Sequence, residues 1–419
     1  MPRVFSFAVV LSALAAPAAA QPLTIAQAID EAMQHNLALF AERSQLSIAD
    51  AQMVGARLRP NPVVSFSADH LDVLGTGFNQ INNGGPPEFA WRVDVPFERG
   101  GKRDARVALA AAVKSAAEAQ FADAVRGLKQ EVTLACVDVL AAQATRTLAA
   151  DTLRTYEDLA RVNRARVTSG SIAPFEATRS EVAMLQFRAT VVRADLELAA
   201  AAARLRVLLG RPAEQSVEIA DGLSSAGGIG GARAPDLEVL AMQARPDLKA
   251  LQLTQARTVA DLRLQEALGR VDYTVGTEYR RQQGTAGRSN SLGVFVSAPL
   301  PISNRNQGEI ARADAERGLA EHQIAARQAQ IASEVNGAFH EYEATRDLVA
   351  TIERDLLRPA THARDISAYT YQAGGATLLE LLDAQRAFND TMQSYVDARA
   401  SLRRAIARLN AAVGTEVAQ

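Results

Sequence analysis

A single cysteine, Cys136, stands in 419 residues, so no intrachain disulfide framework is possible. It lies in an Ala/Val-rich helical run and reads as a small core residue. Aromatic residues make up only 5% of the chain, although hydrophobic residues reach 48%. The apolar share is therefore mostly Ala, Leu and Val, which suits close-packed helices better than a sandwich with a large aromatic core. The net charge of −2 lacks the basic excess that nucleic-acid binding requires. Beyond the first twenty residues no uncharged apolar run reaches about 18 residues, the length of a spanning helix. The mature chain is thus expected to cross a membrane with strands or not at all. Histidine is scarce too. His35, His322, His340 and His362 show no ligand spacing, and His340-Glu341 lacks the second His of a zinc protease helix. No Ser/His/Asp or Cys/His set is suggested, so neither enzymatic activity nor a cofactor or resident metal is expected.

What is present begins with an export signal over residues 1–20. Arg3 supplies the positive start, Phe5 to Ala16 an apolar stretch too short to span a bilayer, and Ala18-Ala19-Ala20 a small-residue cleavage pattern. The mature chain is expected to begin at Gln21, with no cysteine nearby for lipid attachment.

The chain is written twice. Both halves run helix, two short strands, a very long helix, a glycine turn and another long helix. Gly170 breaks the first rod 74 residues after Pro96, and Gly374 breaks the second 73 residues after Pro301. Breaks that match within one residue over such a length argue for internal duplication. The repeats are expected at 21–212 and 236–414, joined by a Gly-rich linker over 213–235 that contains Gly227, Gly228, Gly230 and Gly231, and followed by a tail, 415–419.

The rods carry heptads. Leu381, Phe388, Tyr395, Leu402 and Leu409 recur every seven residues. Thr178, Val182, Leu185, Ala189, Val192, Leu196, Ala199 and Ala203 step by four and three, and Leu128, Val132, Ala135, Val139 and Ala142 do the same earlier. Such spacing keeps one apolar seam facing a neighbour and implies a left-handed supercoil. A helix from Lys102 to about Thr168 would be roughly 100 Å long at 1.5 Å per residue. That length fits a fibre, a spacer or the wall of a tube.

The strands alternate instead. Phe89, Trp91, Val93 and Val95 interleave with Ala90, Arg92 and Asp94, and Val271, Tyr273, Val275, Thr277 and Tyr279 with polar residues and Gly276. Val63 to Asp69 and Leu292 to Ala298 are noisier partners. The pattern fits membrane strands lining a wet lumen, and equally a half-buried soluble sheet. The segments 71–88 and 281–290 read as long polar loops. Four strands cannot close a barrel, and an open edge cannot sit in lipid. With an export signal, this points to several chains sharing one barrel; three would give twelve strands, a permitted even number.

At this point the sequence resembles the TolC family of outer-membrane efflux proteins over essentially the whole mature chain, from Leu23 to about Gly414. The resemblance rests on Leu23-Thr24-Ile25-Ala26-Gln27-Ala28, on the duplicated plan, and above all on Tyr371-Gln372-Ala373-Gly374 followed by Leu378-Leu379-Glu380-Leu381-Leu382-Asp383-Ala384-Gln385. The joints Pro96-Phe97-Glu98-Arg99-Gly100-Gly101-Lys102-Arg103 and Pro299-Leu300-Pro301-Ile302-Ser303-Asn304-Arg305-Asn306-Gln307-Gly308 resemble the branch serving cobalt-zinc-cadmium-type pumps. The resemblance implies a mainly α chain with a small transmembrane β part. It implies a homotrimer sharing a twelve-stranded β-barrel in outer-membrane lipid, with an α-helical coiled-coil tube extending into the periplasm. A periplasmic adaptor (a membrane fusion protein) and an inner-membrane RND-type pump would complete the machine. The turns around Gly170, Ser171, Gly374 and Gly375 would contact the adaptor. Pro96, Gly100, Gly101, Pro301 and Asn304 would form the strand-to-helix joints.

Glu380 and Asp383 lie three apart just past a glycine turn, on one helix face. The family places acids at matching positions in the narrow inner mouth, where six carboxylates per trimer would favour cations. Ordinary helix-dipole pairing explains acids in a first turn as well, and the first-half counterparts are Glu176 and Arg179. Gly100-Gly101-Lys102-Arg103 does not make a phosphate loop, because Pro96 and Arg103 stand where Gly and Ser or Thr are needed. Asp69, His70 and Asp72 cluster at a strand end and read as solvated. A periplasmic coiled-coil structural or adaptor protein is the rival reading; it accounts for the signal and heptads but not for the duplicated hairpins. Cargo stays open among heavy-metal cations, drugs and a protein secreted by a type I route.

Overall fold

The computed structural model describes residues 22–71, 73–75, 77, 87–223, 228–229, 231–284 and 287–418. The expected export signal, Gln21, Asp72, residues 82–86 of the first loop, and Gly227 and Gly230 of the linker lie outside these residues.

The first half forms α1 (Ile25–His35), α2 (Leu37–Arg57), β1 (Val63–Asp69), β2 (Glu88–Phe97), α3 (Lys102–Thr168) and α4 (Pro174–Leu209). The second repeats the order as α5 (Ala234–Ala244), α6 (Pro246–Leu268), β3 (Tyr273–Gly284), β4 (Gly287–Ser297), α7 (Gln307–Thr351) with α8 (Leu357–Gln372), and α9 (Leu378–Val413). The four strands form one antiparallel sheet in chain order. The chain packs as two units. One comprises Met1–Phe40, Val125–Ala241 and Ser333–Gln419, the other Ala41–Ala124 and Met242–Ala332. Each takes segments from both sequence halves.

In the first unit α1 starts on a capping box: the Thr24 side chain accepts from the Gln27 amide, and the Gln27 side chain accepts from the Thr24 amide. Its buried Ala28 and Ala32 let α4 approach closely. Gly210 ends α4 at φ +69, against the His35 carbonyl. The linker is an ordered strap over its described part. Leu23 pairs with Ile219 in parallel, and the Ile25 amide donates to Asp221 Oδ2 at 2.6 Å. The expected seams of α3 and α9 are never exposed: Leu128, Val132, Val139, Leu402 and Leu409 are buried. One stretch of α3 is long and apolar enough, by composition, to cross a bilayer. Val132, Val137 and Val139 of α3 are buried within the chain, and 39% of that stretch is buried in all. Cys136 is fully buried there, and burial pushes its thiol up to about 12. In the second unit Arg245 is buried beside Asp247, which also accepts from Arg327 Nε at 2.6 Å. Burial alone would raise the Asp247 carboxyl; the two guanidinium groups outweigh it and hold it well below the usual carboxylate range.

Two expectations are corrected. The second rod is not one helix: a π-helical turn, Ile352–Leu356, separates α7 from α8. Pro359 lies three residues beyond that turn. A proline inside a helix lacks an amide donor and crowds the carbonyl four residues back, here that of Asp355. The widened turn relieves that conflict. The segment 281–290 is mostly strand, since β3 runs to Gly284 and β4 starts at Gly287, with these two paired. Its polar side chains read as a loop, yet the backbone pairs as far as Gly284 and Gly287, and residues 287–292 are exposed on both strand faces. The stepped seam of α4 is exposed within the chain. Val182, Leu185, Val192 and Leu196 are 51–66% exposed, while Ser180, Ala194, Ala201 and Leu205 form the buried side. The four-three spacing is real, but it faces away from this chain's own core.

Candidate functional site

The sheet sorts its side chains by chemistry. Val64, Phe66, Phe89, Trp91, Val93, Tyr279, Leu292, Val294 and Val296 share one face, which the pairing register fixes, and all are substantially exposed. Phe66 packs on Trp91 at 4.7 Å between ring centroids. The opposite face carries ions. Arg92 Nε donates to Asp94 Oδ1 at 2.9 Å, and the Arg92 guanidinium lies over the Phe295 ring at 4.6 Å. Arg280 meets Glu278 at 3.1 Å and Glu88 at 3.2 Å. Gly276 leaves room for Asp94 where a Cβ would collide with its carboxylate. An exposed apolar face backed by a charged one is what a lipid-facing sheet over a wet lumen requires.

Strand-to-helix joints close the foot of the sheet. Gly100 and Gly101 both adopt positive φ, +75 and +72, which glycine alone accepts readily. Arg270 packs where a Gly100 Cβ would stand. Asp272, just before β3, is the hub that sequence reading missed. It accepts the Arg99 amide at 2.8 Å and the buried Lys102 Nζ at 2.6 Å. Burial opposes ionisation of Asp272, but these partners prevail and lower its pKa. Glu98 pairs with Arg106, which also reaches the Leu58 carbonyl at 3.2 Å. In the second joint, Asn304 Oδ1 accepts the Asn306 amide at 2.9 Å, and Arg305 Nε donates to the Pro301 carbonyl at 3.1 Å. Asn306 takes the left-handed position, φ +66, five residues past Pro301 as Gly101 is five past Pro96. Asn tolerates that region better than most residues, so a search for glycine overlooks it.

Both glycine turns are the same device. Gly170 (φ +70) sends its amide to Val167 and Ser171 sends its amide to Arg166, at 2.9 and 2.8 Å. Gly374 (φ +80) bonds Tyr371 and Gly375 bonds Thr370, at 3.2 and 2.9 Å. This pairing of six-to-one and five-to-two bonds around a left-handed glycine is the Schellman cap. Pro174 then starts α4, and Thr377 starts α9. Arg166 ties the ends of α3 and α8 together: its guanidinium donates to the Gln372 carbonyl at 3.0 Å and lies over the Tyr371 ring at 5.2 Å. Tyr371 donates to Asn163 Oδ1 at 2.6 Å, beside a cluster of Tyr156, Leu378, Leu381 and Leu382. Burial raises the Tyr371 and Tyr156 hydroxyls, the latter to about 12.

The two acids past Gly374 differ. Glu380 closes the α9 capping box, its Oε2 accepting the Thr377 amide at 2.7 Å and the Thr377 hydroxyl at 3.0 Å. The backbone bond from Thr377 holds its carboxyl below the ordinary value. Asp383 is exposed one turn on. Asp69 and His70 end β1, His70 at φ +56, with Arg280 at 4.0 Å from Asp69. Among the described residues, no group of three or more His, Cys, Asp or Glu could hold a metal.

This architecture has relatives. A family model described as "Outer membrane efflux protein" matches residues 28–211 and 237–415. The cobalt-zinc-cadmium resistance protein CzcC of Cupriavidus metallidurans is 26% identical over 369 residues, covering 88% of this chain and 84% of that protein. The outer-membrane channel OprN superposes with a TM-score of 0.75 at 20% identity, covering 94% of this chain and 90% of its own. CusC, whose structures concern folding and transmembrane channel formation, gives 0.75 at 18% identity, covering 94% and 92%.

Proposed function

Because the chain belongs to the outer membrane efflux protein family, we propose that three copies form the exit duct of a tripartite machine exporting divalent heavy-metal cations. An inner-membrane RND-type pump would energise transport and a periplasmic adaptor would join pump to duct. The relative named for cobalt, zinc and cadmium resistance, aligned over 88% of this chain, carries the cargo reading. The trimer reading is supported by a sheet with two open edges and by the exposed apolar stripe of α4.

The duct does no chemistry of its own. Its walls exclude lipid with the apolar sheet face and offer water and ions the charged one. At the inner mouth, Asp383 from three chains would form a ring of carboxylates. Crowded carboxylates raise the local cation concentration and disfavour anions. Glu380, also exposed, would line the same mouth with its carboxylate engaged in starting α9. The paired caps at Gly170-Ser171 and Gly374-Gly375 present rigid, exposed helical ends suited to an adaptor. Pro96, Gly100, Gly101, Pro301 and Asn304 set the bend from barrel to tube.

The test is a gene deletion assayed for growth across cobalt, zinc, cadmium and a panel of drugs. Metal sensitivity that the intact gene restores and an Asp383→Asn copy restores less well is the expected result. Sensitivity to drugs alone would remove the metal cargo while leaving the duct.

A further inference from the structure

A cavity of about 740 Å³ lies at the foot of the sheet, walled by Arg59–Pro62 before β1, by Pro96 and Phe97 at the end of β2, and by Arg103 in α3. Among the described residues nothing fills it. We infer that the joint after β4 of one chain, Leu300 to Asn304, seats against Arg59–Pro62 of the next chain and locks the barrel at its inner rim. The inference rests on the trimer reading above.

Direction comes first. In an antiparallel meander, β1 and β4 are the two unpaired edges and run oppositely. An edge left open in lipid strands its backbone groups, so β4 of one chain must pair with β1 of the next. Antiparallel pairing brings the end of β4, Ser297, to the start of β1, Val63. The segment after β4 therefore arrives beside the cavity wall that precedes β1.

The chain also contains its own template for this contact. The joint after β2 already packs on the residues before β3. Phe97 pairs with Tyr273 and Pro96 with Thr274, and the Arg99 amide reaches Asp272. Duplication maps each part of that contact onto the open edges. Pro96 corresponds to Pro301, and the starts of α3 and α7, Lys102 and Gln307, keep the same spacing from those prolines. Arg270-Val271-Asp272 corresponds to Arg59-Pro60-Asn61. Val64 pairs with Val93, and its counterpart Val275 with Val296, so the second joint carries two more residues before Pro301. Transferring the β2–β3 register sets Ala298 opposite Val64 and Leu300 opposite Pro62, and brings Ile302 to Asn304 beside Arg59–Asn61. Face parity agrees, because Val64 and Val296 both lie on the apolar face.

The surfaces suit the contact. Leu300 and Ile302 are each 79% exposed, yet the joint carrying them is stiff. Pro299 and Pro301 flank Leu300, the Ile302 amide bonds the Leu300 carbonyl at 2.9 Å, and Arg305 holds the Pro301 carbonyl. A preorganised apolar projection loses little freedom on docking. Asp104 in the cavity wall offers Arg305 an opposite charge.

Paired cysteines test the contact in a Cys136→Ala background. Pro62→Cys with Leu300→Cys, and separately Val64→Cys with Ala298→Cys, should give disulfide-linked dimers and trimers on non-reducing gels. Phe97→Cys with Tyr273→Cys, the intrachain counterpart, should leave the chain at monomer mobility. Sedimentation in detergent separates the failures. Trimers without an interchain ladder would overturn the lock and leave the trimer standing; monomers would overturn both. A second variant, Leu300→Asp with Ile302→Asp, should lower the temperature at which detergent-solubilised trimers dissociate. Leu74→Asp, in the β1–β2 connection, should not; equal shifts would also count against the lock.

Discussion

At the scale of single residues, the acids past Gly374 divide the work that their spacing assigns to both. Glu380 receives the Thr377 amide and hydroxyl, so its carboxylate is part of the helix start. Asp383 takes no part in that box, and both residues are exposed. Asp383→Asn should reduce cation preference in planar-bilayer recordings and weaken block by a trivalent cation. Glu380→Gln, which still completes a capping box, should change selectivity less. Equal effects would place both carboxylates on the ion path. Thr377→Ala removes the cap and should cost about 0.5–2 kcal/mol of stability. The pH dependence follows from the lowered Glu380 pKa. The carboxylate's contribution is present above the unfolded value and is lost as pH falls through the lower folded one. Tyr371→Phe should cost about 1–3 kcal/mol in denaturant unfolding, because Asn163 is wholly buried and loses the donor to its carbonyl oxygen.

At the scale of elements, strong punctuation decided what was legible in the sequence. The first rod reads true from Lys102 to Thr168 because Gly100-Gly101 and Gly170 bracket it. The apolar strand faces read true because period-two alternation survives in β2 and β3. The π turn was hidden, since Pro359 alone signals a break without saying how α7 and α8 continue across it. The ends of β3 and β4 were hidden because Gln, Arg, Ser and Asn pair as strands only where a partner strand is supplied. Asp272 was hidden because its partners, Arg99 and Lys102, lie some 170 residues away. The sheet faces carry their own prediction. Val93 lies on the apolar face between Val64 and Thr277. Val93→Arg should hinder assembly by about 2–4 kcal/mol if the site lies near mid-bilayer. Asp94→Asn keeps an acceptor for Arg92 and should be mild. Assembly can be read from the yield of folded protein in outer-membrane fractions, and equal yields would reverse the assigned faces.

At the scale of the whole molecule, the exposed apolar stripe of α4 has no cover among the described residues. Val182, Leu185, Val192 and Leu196 stand 51–66% exposed along α4, at the four-three spacing of a coiled-coil seam. Burying such a side chain is worth about 1.5–3 kcal/mol, so four of them left in water would be a large loss. The opposite side of the helix, through Ala194, Ala201 and Leu205, already meets the chain's own core. The stripe must therefore be covered from outside. A homotrimer covers it repeatedly with one surface, and heptad periodicity suits a neighbouring helix better than lipid or a globular partner. Leu185→Asp combined with Leu196→Asp should thus abolish trimers in detergent sedimentation. The helical circular dichroism of the chain should be retained, because neither residue supports the intrachain core. Loss of helicity together with trimers would mean that the stripe serves folding of the single chain. Intact trimers with both aspartates in place would show that α4 faces water in the assembly, and the heptad spacing on this helix would then need another explanation.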